Sequence, residues 1–282
     1  MEFVATRPSP IVITVDFETD WGGRLPPGQP NCQGIIKGLP RILTLLNKYC
    51  IKSTFFISGN LAQSFRSLLD EMLQEGHEIA SHGYEHDLNY GALPYKELSY
   101  QLAKSKEVLE DSLNREVIGF RTPQFRFNPD LFKALKESRY RYDSSLIIHN
   151  KLLSRYNYSQ LPGDPFFSKD ILEIPVSSLP RLKVPLGLLW INALGMGTYK
   201  LLAGTKLPGS ANVFYVHPFD IIVKDRNPNF GLKLNFWYSF KSKKALETLA
   251  NLLALWNKEQ RQFFTMKEFY FQYRSGISKF ME

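Results

Sequence analysis

The fold of this 282-residue chain can be worked out from one short stretch, His77-Glu78-Ile79-Ala80-Ser81-His82-Gly83-Tyr84-Glu85-His86. A periodic apolar segment before it, 61–74, predicts a helix that ends at Gly76. Residues 77–80 then predict a short strand, and the imidazoles of His82 and His86 follow it directly. Polar side chains therefore lie at the carboxyl end of a strand, where proteins with parallel sheets and barrels have their active sites.

The same succession of helix, strand and polar strand end recurs on both sides of this stretch. Predicted strands cover residues 11–15, 53–57, 117–120, 140–142, 171–175, 212–216 and 263–266, and predicted helices cover 39–49, 96–113, 130–138 and 246–256. Alternating strands and helices indicate a parallel sheet with crossover helices. With about seven strands, we expect an α/β fold with an irregular (β/α) barrel rather than an open doubly wound sheet. We expect one catalytic domain over residues 1–282.

Composition and motifs exclude several classes of protein. The chain is 44% hydrophobic and 22% charged, which is typical of a globular protein. Its net charge is +8, but the Lys and Arg residues are scattered and form no basic stripe among aromatics, so we expect no nucleic-acid partner. Cys32 and Cys50 lack the spacing of zinc ligands. The sequence contains no GxGxxG after the first strand, no Walker loop and no GxSxG elbow.

The ends and the most apolar stretch of the chain bear on its location. Residues 1–10 contain no apolar signal core, so we expect a cytosolic protein. The stretch 186–203 is the most apolar, but it contains Asn192 and Lys200 and falls short of a clean membrane span. A peripheral contact of this stretch with the inner face of a membrane stays open.

The two histidines and the carboxylates after the first strand are candidates for a metal site. If 82–86 turns helically, the imidazoles of His82 and His86 lie on one face and can bind one ion such as zinc. Asp16 and Glu18 point the same way if the strand geometry persists, which makes them a candidate base and ligand pair. Surface histidines four apart are also common, and acids after a strand can cap a solvated turn.

Five motifs in order resemble the polysaccharide deacetylase family, the NodB-homology carbohydrate esterases. The motifs are Thr14-Val15-Asp16-Phe17-Glu18, Ser81-His82-Gly83-Tyr84-Glu85-His86, Arg121-Thr122-Pro123, Tyr142-Asp143-Ser144-Ser145 and the segment ending in His217. The resemblance runs from about residue 12 to 266. It implies a NodB-like deformed TIM barrel, and it is similar to a subgroup linked to exopolysaccharide and lipid-linked glycan processing.

The resemblance also implies roles for these residues. It makes Glu18, His82 and His86 ligands of a divalent metal, most often zinc, with cobalt, iron or nickel as alternatives. It makes Asp16 the general base, Arg121 the partner that holds Asp16 ionised, and His217 the acid that protonates the departing amine. Pro123 and Gln124 lie on the substrate side, where a backbone N–H near Gln124 would stabilise an oxyanion.

The chain also departs from the family pattern. Phe17 separates Asp16 from Glu18 where two adjacent aspartates are common, which favours Glu18 as the metal carboxylate and keeps Asp20 as the alternative. Asp143 is expected to orient either His217 or Arg121, or to cap a turn. Glu173 is expected to pair with an arginine such as Arg121. These three acids are supporting residues.

The resemblance implies a metal-dependent hydrolase that removes an N-acetyl or N-formyl group from an amino sugar in a polysaccharide or lipid-linked glycan. One alternative is a metal-dependent amidase acting on a small non-peptide C–N compound, because specificity lies in the loops. Another is an inactive carbohydrate-binding barrel. The expected partner is an acylated glycan, and the oligomeric state is left open.

Overall fold

Parallel strands form a curled sheet that is covered by helices on its outer side. The computed structural model describes residues 9–20, 32–147, 163–179, 182–203, 211–222, 232 and 244–281. The strands are β1 (Ile11–Phe17), β2 (Thr54–Ile57), β3 (Glu78–Ser81), β4 (Gly119–Phe120), β5 (Tyr142–Asp143), β6 (Phe166–Ser168), β7 (Ile171–Glu173), β8 (Ser178–Leu179), β9 (Val184–Pro185), β10 (Asn212–Val216) and β11 (Phe263–Phe264). The helices are α1 (Leu39–Lys48), α2 (Arg66–Gln74), α3 (Tyr95–Leu113), α4 (Leu131–Glu137), α5 (Leu188–Leu194), α6 (Met196–Ala203), α7 (Ala245–Lys258) and α8 (Met266–Met281).

The strand order confirms the predicted irregular (β/α) barrel. Neighbouring strands follow the order β10-β1-β2-β3-β4-β5-β7-β6, and β11 also pairs with β1. All pairs in this sheet are parallel except that between β6 and β7. The gap between β7 and β10 is bridged by the segment after β7, where the Ser177 N–H donates to the Val213 carbonyl at 3.1 Å. The barrel is therefore not closed by strand pairing between β7 and β10.

The alternation of side chains along β1 divides the core into two parts. Ile11, Ile13, Val15 and Phe17 belong to the larger apolar cluster, which also contains buried residues of the surrounding helices. Val12 belongs to a second cluster on the other face of the sheet. Because side chains alternate with period two, Asp16 shares the inner face with Val12. The strand that supplies the outer core thus also directs a carboxylate into the barrel.

The amino-terminal end of the barrel is closed by a buried carboxylate. Glu78 accepts hydrogen bonds from the Thr54 hydroxyl at 2.7 Å, the Tyr142 hydroxyl at 2.7 Å and the Lys267 N–H at 2.9 Å. The Met266 N–H donates to the Thr54 hydroxyl at 2.8 Å. Burial raises the pKa of Glu78, and these hydrogen bonds oppose the rise. One carboxyl group thus joins β2, β3 and β5 to the first turn of α8.

Several element boundaries differ from the prediction. The predicted helix 61–74 is a 3-10 turn, Gly59–Leu61, followed by α2 from Arg66. The sequence did not indicate β6, β8 or β9, because strands of two or three residues are too short to show an alternating pattern. The apolar stretch 186–203 forms the two short helices α5 and α6. None of the described helices has the length and apolarity needed to cross a bilayer.

We expect replacement of Glu78 by Ala to destabilise the barrel strongly. The change leaves the Lys267 N–H and the Tyr142 hydroxyl buried without their acceptor, and it should lower the free energy of unfolding by about 3 kcal/mol. Tyr142→Phe removes one of the three donors to Glu78 and leaves Thr54 and the Lys267 N–H bonded to its other oxygen, so it should cost only about 1 kcal/mol. Urea denaturation measures both values, and equal losses in the two variants would contradict this account of the network.

Candidate metal and catalytic centre

Polar side chains from four strands meet at the carboxyl end of the barrel. Asp16 lies in β1, and Glu18 follows directly after it. His82 follows β3, Arg121 follows β4 and His217 follows β10. These strand ends are brought together because β10, β1, β2, β3 and β4 are consecutive and parallel in the sheet. The convergence that the sequence pattern predicted is therefore present in the structure.

Glu18, His82 and His86 form a group that could hold a metal ion. One ligand atom from each residue lies within 4.8 Å of the others, and all three side chains are buried. Glu18 Oε2 is 3.1 Å from His82 Nε2 and 2.6 Å from His86 Nε2. Two imidazoles and one carboxylate are a donor set typical of catalytic zinc sites, which leave a further position open.

The electrostatics of this group also suit a bound cation. Burial by itself raises the pKa of Glu18, but the imidazoles of His86 and His82 hold it well below its usual range. Burial opposes charge on His86, yet the Glu18 carboxylate raises the pKa of His86 to about 9. His86 Nε2 lies 2.6 Å from Glu18 Oε2, and its Nδ1 lies 3.6 Å from Asp87 Oδ1. A bound dication would supply the positive charge beside Glu18 that the protonated imidazole of His86 otherwise supplies.

The segment that carries the two histidines is not a helix, which corrects the conditional prediction. Its backbone turns at Gly83, whose φ of +75° is in the left-handed region, and a side chain there would collide with the Tyr90 hydroxyl. The Tyr90 hydroxyl in turn accepts the Tyr84 N–H at 3.0 Å. The imidazole centroids nevertheless lie 5.4 Å apart. A glycine turn, rather than helical spacing, brings His82 and His86 together.

A backbone carbonyl orients the first imidazole. His82 Nδ1 lies 2.9 Å from the Arg121 carbonyl oxygen, which can only accept, so the proton of the neutral ring is on Nδ1. Nε2 then presents its lone pair toward Glu18. Such a hydrogen bond to the far nitrogen is the usual way in which a protein fixes a ligating histidine.

Asp20 has a different environment from Glu18. Its Oδ1 accepts the Gly34 N–H at 2.8 Å, and the ligand group formed by the described residues contains Glu18 and not Asp20. A side chain on Gly34 would collide with this same Asp20 oxygen. The geometry therefore favours Glu18 as the metal carboxylate and gives Asp20 a role in holding the chain after β1.

Asp16 forms a buried ion pair with Arg121. Arg121 Nη1 donates to Asp16 Oδ1 at 2.7 Å and to the Thr14 hydroxyl at 2.8 Å. The guanidinium carbon lies 4.1 Å from the centre of the Phe56 ring. Both partners of the ion pair are almost fully excluded from solvent. The arginine compensates the Asp16 charge inside the barrel and fixes one of its two oxygens.

His217 lies beside both carboxylates and is held by an acid that the sequence analysis missed. His217 Nε2 is 3.7 Å from Asp16 Oδ2 and 3.9 Å from Glu18 Oε1. Its Nδ1 is 3.2 Å from Asp220 Oδ2, which also accepts the His217 N–H at 2.9 Å. Burial opposes charge on the imidazole, but Asp220 and the two nearby carboxylates raise the pKa of His217 to about 9. The motif His-Pro-Phe-Asp at a strand end could have indicated this pairing of Asp220 with His217.

Pro123 and Gln124 lie in a strained turn after Arg121. Gln124 has φ 55° and ψ 19°, and the next residue, Phe125, has φ 54°. Two successive non-glycine residues in the left-handed region cost energy and occur where the surroundings enforce them, commonly at functional sites. The position agrees with the oxyanion role implied for this segment, which stays a prediction.

Asp143 and Glu173 lie further along the sheet and do not contact His217. Asp143 Oδ1 accepts the Ser145 hydroxyl at 2.6 Å, and Glu173 Oε1 accepts the Leu146 N–H at 3.0 Å. Neither acid forms an ion pair with Arg121 among the described residues, because the Arg121 donors are engaged by Thr14, Asp16 and Ser144. The expectations that Asp143 orients His217 and that Glu173 pairs with Arg121 are therefore wrong.

Sequence comparisons relate part of this chain to known proteins. The family model described as polysaccharide deacetylase matches residues 24–142. A peptidoglycan deacetylase of Helicobacter pylori is 31% identical over 119 residues, which are 42% of this chain and 40% of that protein. The chain spans less than half the length of this and the next two curated relatives, at 40%, 47% and 31%.

Solved structures share the fold over almost the whole chain. A crystal structure described as a polysaccharide deacetylase of Mycobacterium smegmatis has a TM-score of 0.62 at 20% identity, covering 96% of this chain and 95% of that one. A CE4 family pseudoenzyme of Bacillus anthracis has a TM-score of 0.55 at 15% identity, covering 94% and 66%. The family match over residues 24–142 and the related sequence make this part of the chain similar to the polysaccharide deacetylase family, and the solved structures share its fold.

Proposed function

We propose that the protein is a metal-dependent hydrolase that removes an N-acetyl or N-formyl group from an amino sugar of a glycan. One observation carries the proposal: the Glu18, His82 and His86 group has Asp16 and His217 directly beside it, with His217 Nε2 within 4 Å of both carboxylates. The same barrel occurs in a pseudoenzyme, so the fold by itself does not establish activity. The residues of the site are what support it here.

Glu18, His82 and His86 would hold the metal, and zinc suits two imidazoles and a carboxylate. When bound, the divalent ion polarises the amide carbonyl and lowers the pKa of water. Cobalt, iron or nickel could serve the same donor set.

Asp16 is suited to remove a proton from the attacking water. Its Oδ1 is fixed by Arg121, whereas Oδ2 faces His217 at 3.7 Å. The buried ion pair with Arg121 fixes the orientation of the carboxylate. Oδ2 is therefore the basic atom in this mechanism.

His217 is suited to give a proton to the departing amine. The Asp220 carboxylate raises its pKa to about 9 against the effect of burial, so the imidazole carries its proton at neutral pH. Nε2 is the atom that faces the carboxylates and the substrate side, because Nδ1 is held by Asp220. Amine expulsion requires such a donor, since an amide anion is a very poor leaving group.

The substrate is proposed from the names of the relatives and from the chemistry of the site. The H. pylori relative is named a peptidoglycan deacetylase, which supports an N-acylated amino sugar in a glycan. A small non-peptide amide remains the second candidate substrate, and an inactive glycan-binding barrel is the third possibility. Incubation of the zinc-loaded protein with N-acetylglucosamine oligomers, N-formyl amino sugars and cyclic ureides separates the three, with released acetate or formate assayed for the sugars and the ring-opened product for the ureides.

Asp16→Asn and His86→Ala should separate the base from the metal ligand. Loss of the base should lower kcat by about 10²–10⁴-fold with the metal content unchanged. Loss of His86 should weaken metal binding by at least about 100-fold, since even residues that only support a ligand contribute 10–100-fold. Acetate release and elemental analysis measure the two effects. Glu85→Gln, an exposed neighbour, is the control. Full activity of Asp16→Asn would refute its assignment as base.

Asp220→Asn should move the alkaline limb of the pH–rate profile to lower pH. Asp220 raises the pKa of His217, so its neutralisation lowers that pKa, and the acid then loses its proton earlier as the pH increases. The profile of kcat/KM against pH, measured from pH 6 to about 10, shows the limb directly. An alkaline limb that stays in place would mean that His217 is not the group that titrates there.

We also propose that the substrate is attached to a lipid, because large apolar side chains are exposed in and before the helical segment that packs on the strand carrying His217. Leu201 of α6 is 75% exposed and Leu182 is 41% exposed; α6 packs against α5, and α5 packs against β10. Lys200 adds a cation beside Leu201. We expect the protein to cosediment with anionic vesicles, and Leu201→Glu to reduce binding by about tenfold, since each buried leucine contributes roughly 1.5–3 kcal/mol. Equal cosedimentation of the wild-type protein and Leu201→Glu would show that this surface does not bind the vesicles.

A further inference from the structure

Two carboxyl groups outside the proposed mechanism are buried side by side at the ends of β5 and β7. Asp143 and Glu173 are partners in the register of these parallel strands. Neither residue exposes any surface to solvent. Burial of a carboxylate is costly unless it is paired or protonated, so the arrangement requires an explanation.

The oxygens of the two groups divide into two sets. Asp143 Oδ1 accepts the Ser145 hydroxyl, and Glu173 Oε1 accepts the Leu146 N–H. The other oxygens, Asp143 Oδ2 and Glu173 Oε2, receive no donor from any described residue. Because Asp143 and Glu173 are register partners on adjacent strands, their side chains lie on the same face of the sheet, and each has one oxygen without a donor. Two ionised carboxylates cannot hydrogen-bond, whereas one proton held by the pair would supply the missing donor.

The charges around the pair lead to the same result. Burial raises the pKa of Asp143 to about 6, and burial together with the Asp143 charge raises the pKa of Glu173 well above its usual range. Arg121 is the cation that acts on both groups, but its guanidinium is already bonded to Asp16. Like charges in contact cannot both be ionised at neutral pH.

Asp143 and Glu173 hold residues 144–146, the segment that supports Arg121. The hydroxyl of Ser145, which donates to Asp143, accepts the Thr122 N–H at 2.9 Å. The carbonyl and hydroxyl oxygens of Ser144 accept from Arg121 Nε at 3.0 Å and Nη2 at 2.9 Å. A displacement of residues 144–146 would therefore move both Arg121 and the start of the turn that contains Gln124.

We propose that Asp143 and Glu173 share one proton and act as positioning residues, which lock residues 144–146 and thereby Arg121 and Thr122. Glu173 holds the proton and donates it to Asp143, while each remaining oxygen accepts from the segment. The part of this inference that concerns catalysis rests on the proposed hydrolase function, but the shared proton does not.

Isosteric amides test the shared proton without any activity assay. In Glu173→Gln, Oε1 can still accept the Leu146 N–H while Nε2 donates to Asp143, and Asp143→Asn is the mirror case. Each single variant should unfold near the wild-type urea midpoint. In the double variant two amide donors face each other, so its folding equilibrium constant should fall by about tenfold or more beyond the sum of the single effects. Additive effects would overturn the proposal.

Infrared spectroscopy provides a second test of the same proton. The wild-type protein at neutral pH should show the carbonyl stretch of a buried protonated carboxyl group, and this band should disappear in Glu173→Gln. The exposed Glu107→Gln, whose carboxylate pairs with Lys104, is the matched control and should leave the band unchanged. A spectrum in which Glu173→Gln also leaves it unchanged would show that Glu173 is ionised and would overturn the proposal.

Kinetics test the positioning role. Glu173→Ala removes the partner of Asp143 and should lower kcat by about 10–100-fold with a small change in KM, whereas Glu173→Gln should stay within about threefold of wild type. Equal losses in the two variants would overturn the positioning role. If the wild-type protein releases no acid from any acylated substrate, the hydrolase function fails, and the unfolding and infrared tests still decide whether the proton is shared.

Discussion

The buried ion pair between Asp16 and Arg121 is the constraint on which the centre depends. The Arg121 side chain donates to Asp16 and Thr14 of β1 and to the carbonyl and hydroxyl oxygens of Ser144. The Arg121 backbone carbonyl orients His82. A buried charge without its partner is costly, so neither residue of the pair can move or be lost alone. The position of Asp16 and the orientation of His82, the proposed base and one proposed metal ligand, therefore depend on the same residue.

The balance of charge in the centre follows from this arrangement. Arg121 compensates Asp16, which leaves Glu18 and Asp220 to act on the imidazoles around them. His86 and His217 are both raised to a pKa of about 9, but for different reasons: His86 by Glu18, and His217 first by Asp220. The barrel thus places negative charge at Glu18 and a protonated imidazole at His217, the two features on which the proposed metal-assisted hydrolysis rests.

The sequence contained enough information to predict the fold and the convergence of the candidate residues. Asp16, Glu18, His82, Arg121 and His217 each follow a strand or end one, and parallel strands bring such positions to one edge. The partners of these residues could not be predicted in the same way. Whether Asp143 meets Glu173, Arg121 or His217 depends on strand order and on side-chain rotamers, and β5 and β7 become neighbours only because the antiparallel β6 lies outside them.

The turn at Gly83 and the pairing of His217 with Asp220 show the same limit on a smaller scale. A spacing of four residues is compatible with a helix, but the φ of +75° at Gly83 and its contact with Tyr90 make it a turn. His217 and Asp220 are three residues apart with a proline between them, a spacing that shows no periodic pattern in the sequence. In the structure they form reciprocal hydrogen bonds around a 3-10 turn. Local hydrogen bonds of this kind are decided by backbone geometry that periodicity does not encode.

The hydrogen bond from the Lys267 N–H to Glu78 spans 189 residues of sequence. The last strand, β11, also pairs with β1, so both ends of the described chain meet at the floor of the barrel. During synthesis, the chain must leave the ribosome past residue 267 before this floor can form. Until then the nascent chain carries an uncovered carboxyl group and an unpaired strand edge, the two features that invite premature association. Closure of the barrel floor therefore has to wait for α8, whose Lys267 follows Glu78 by 189 residues.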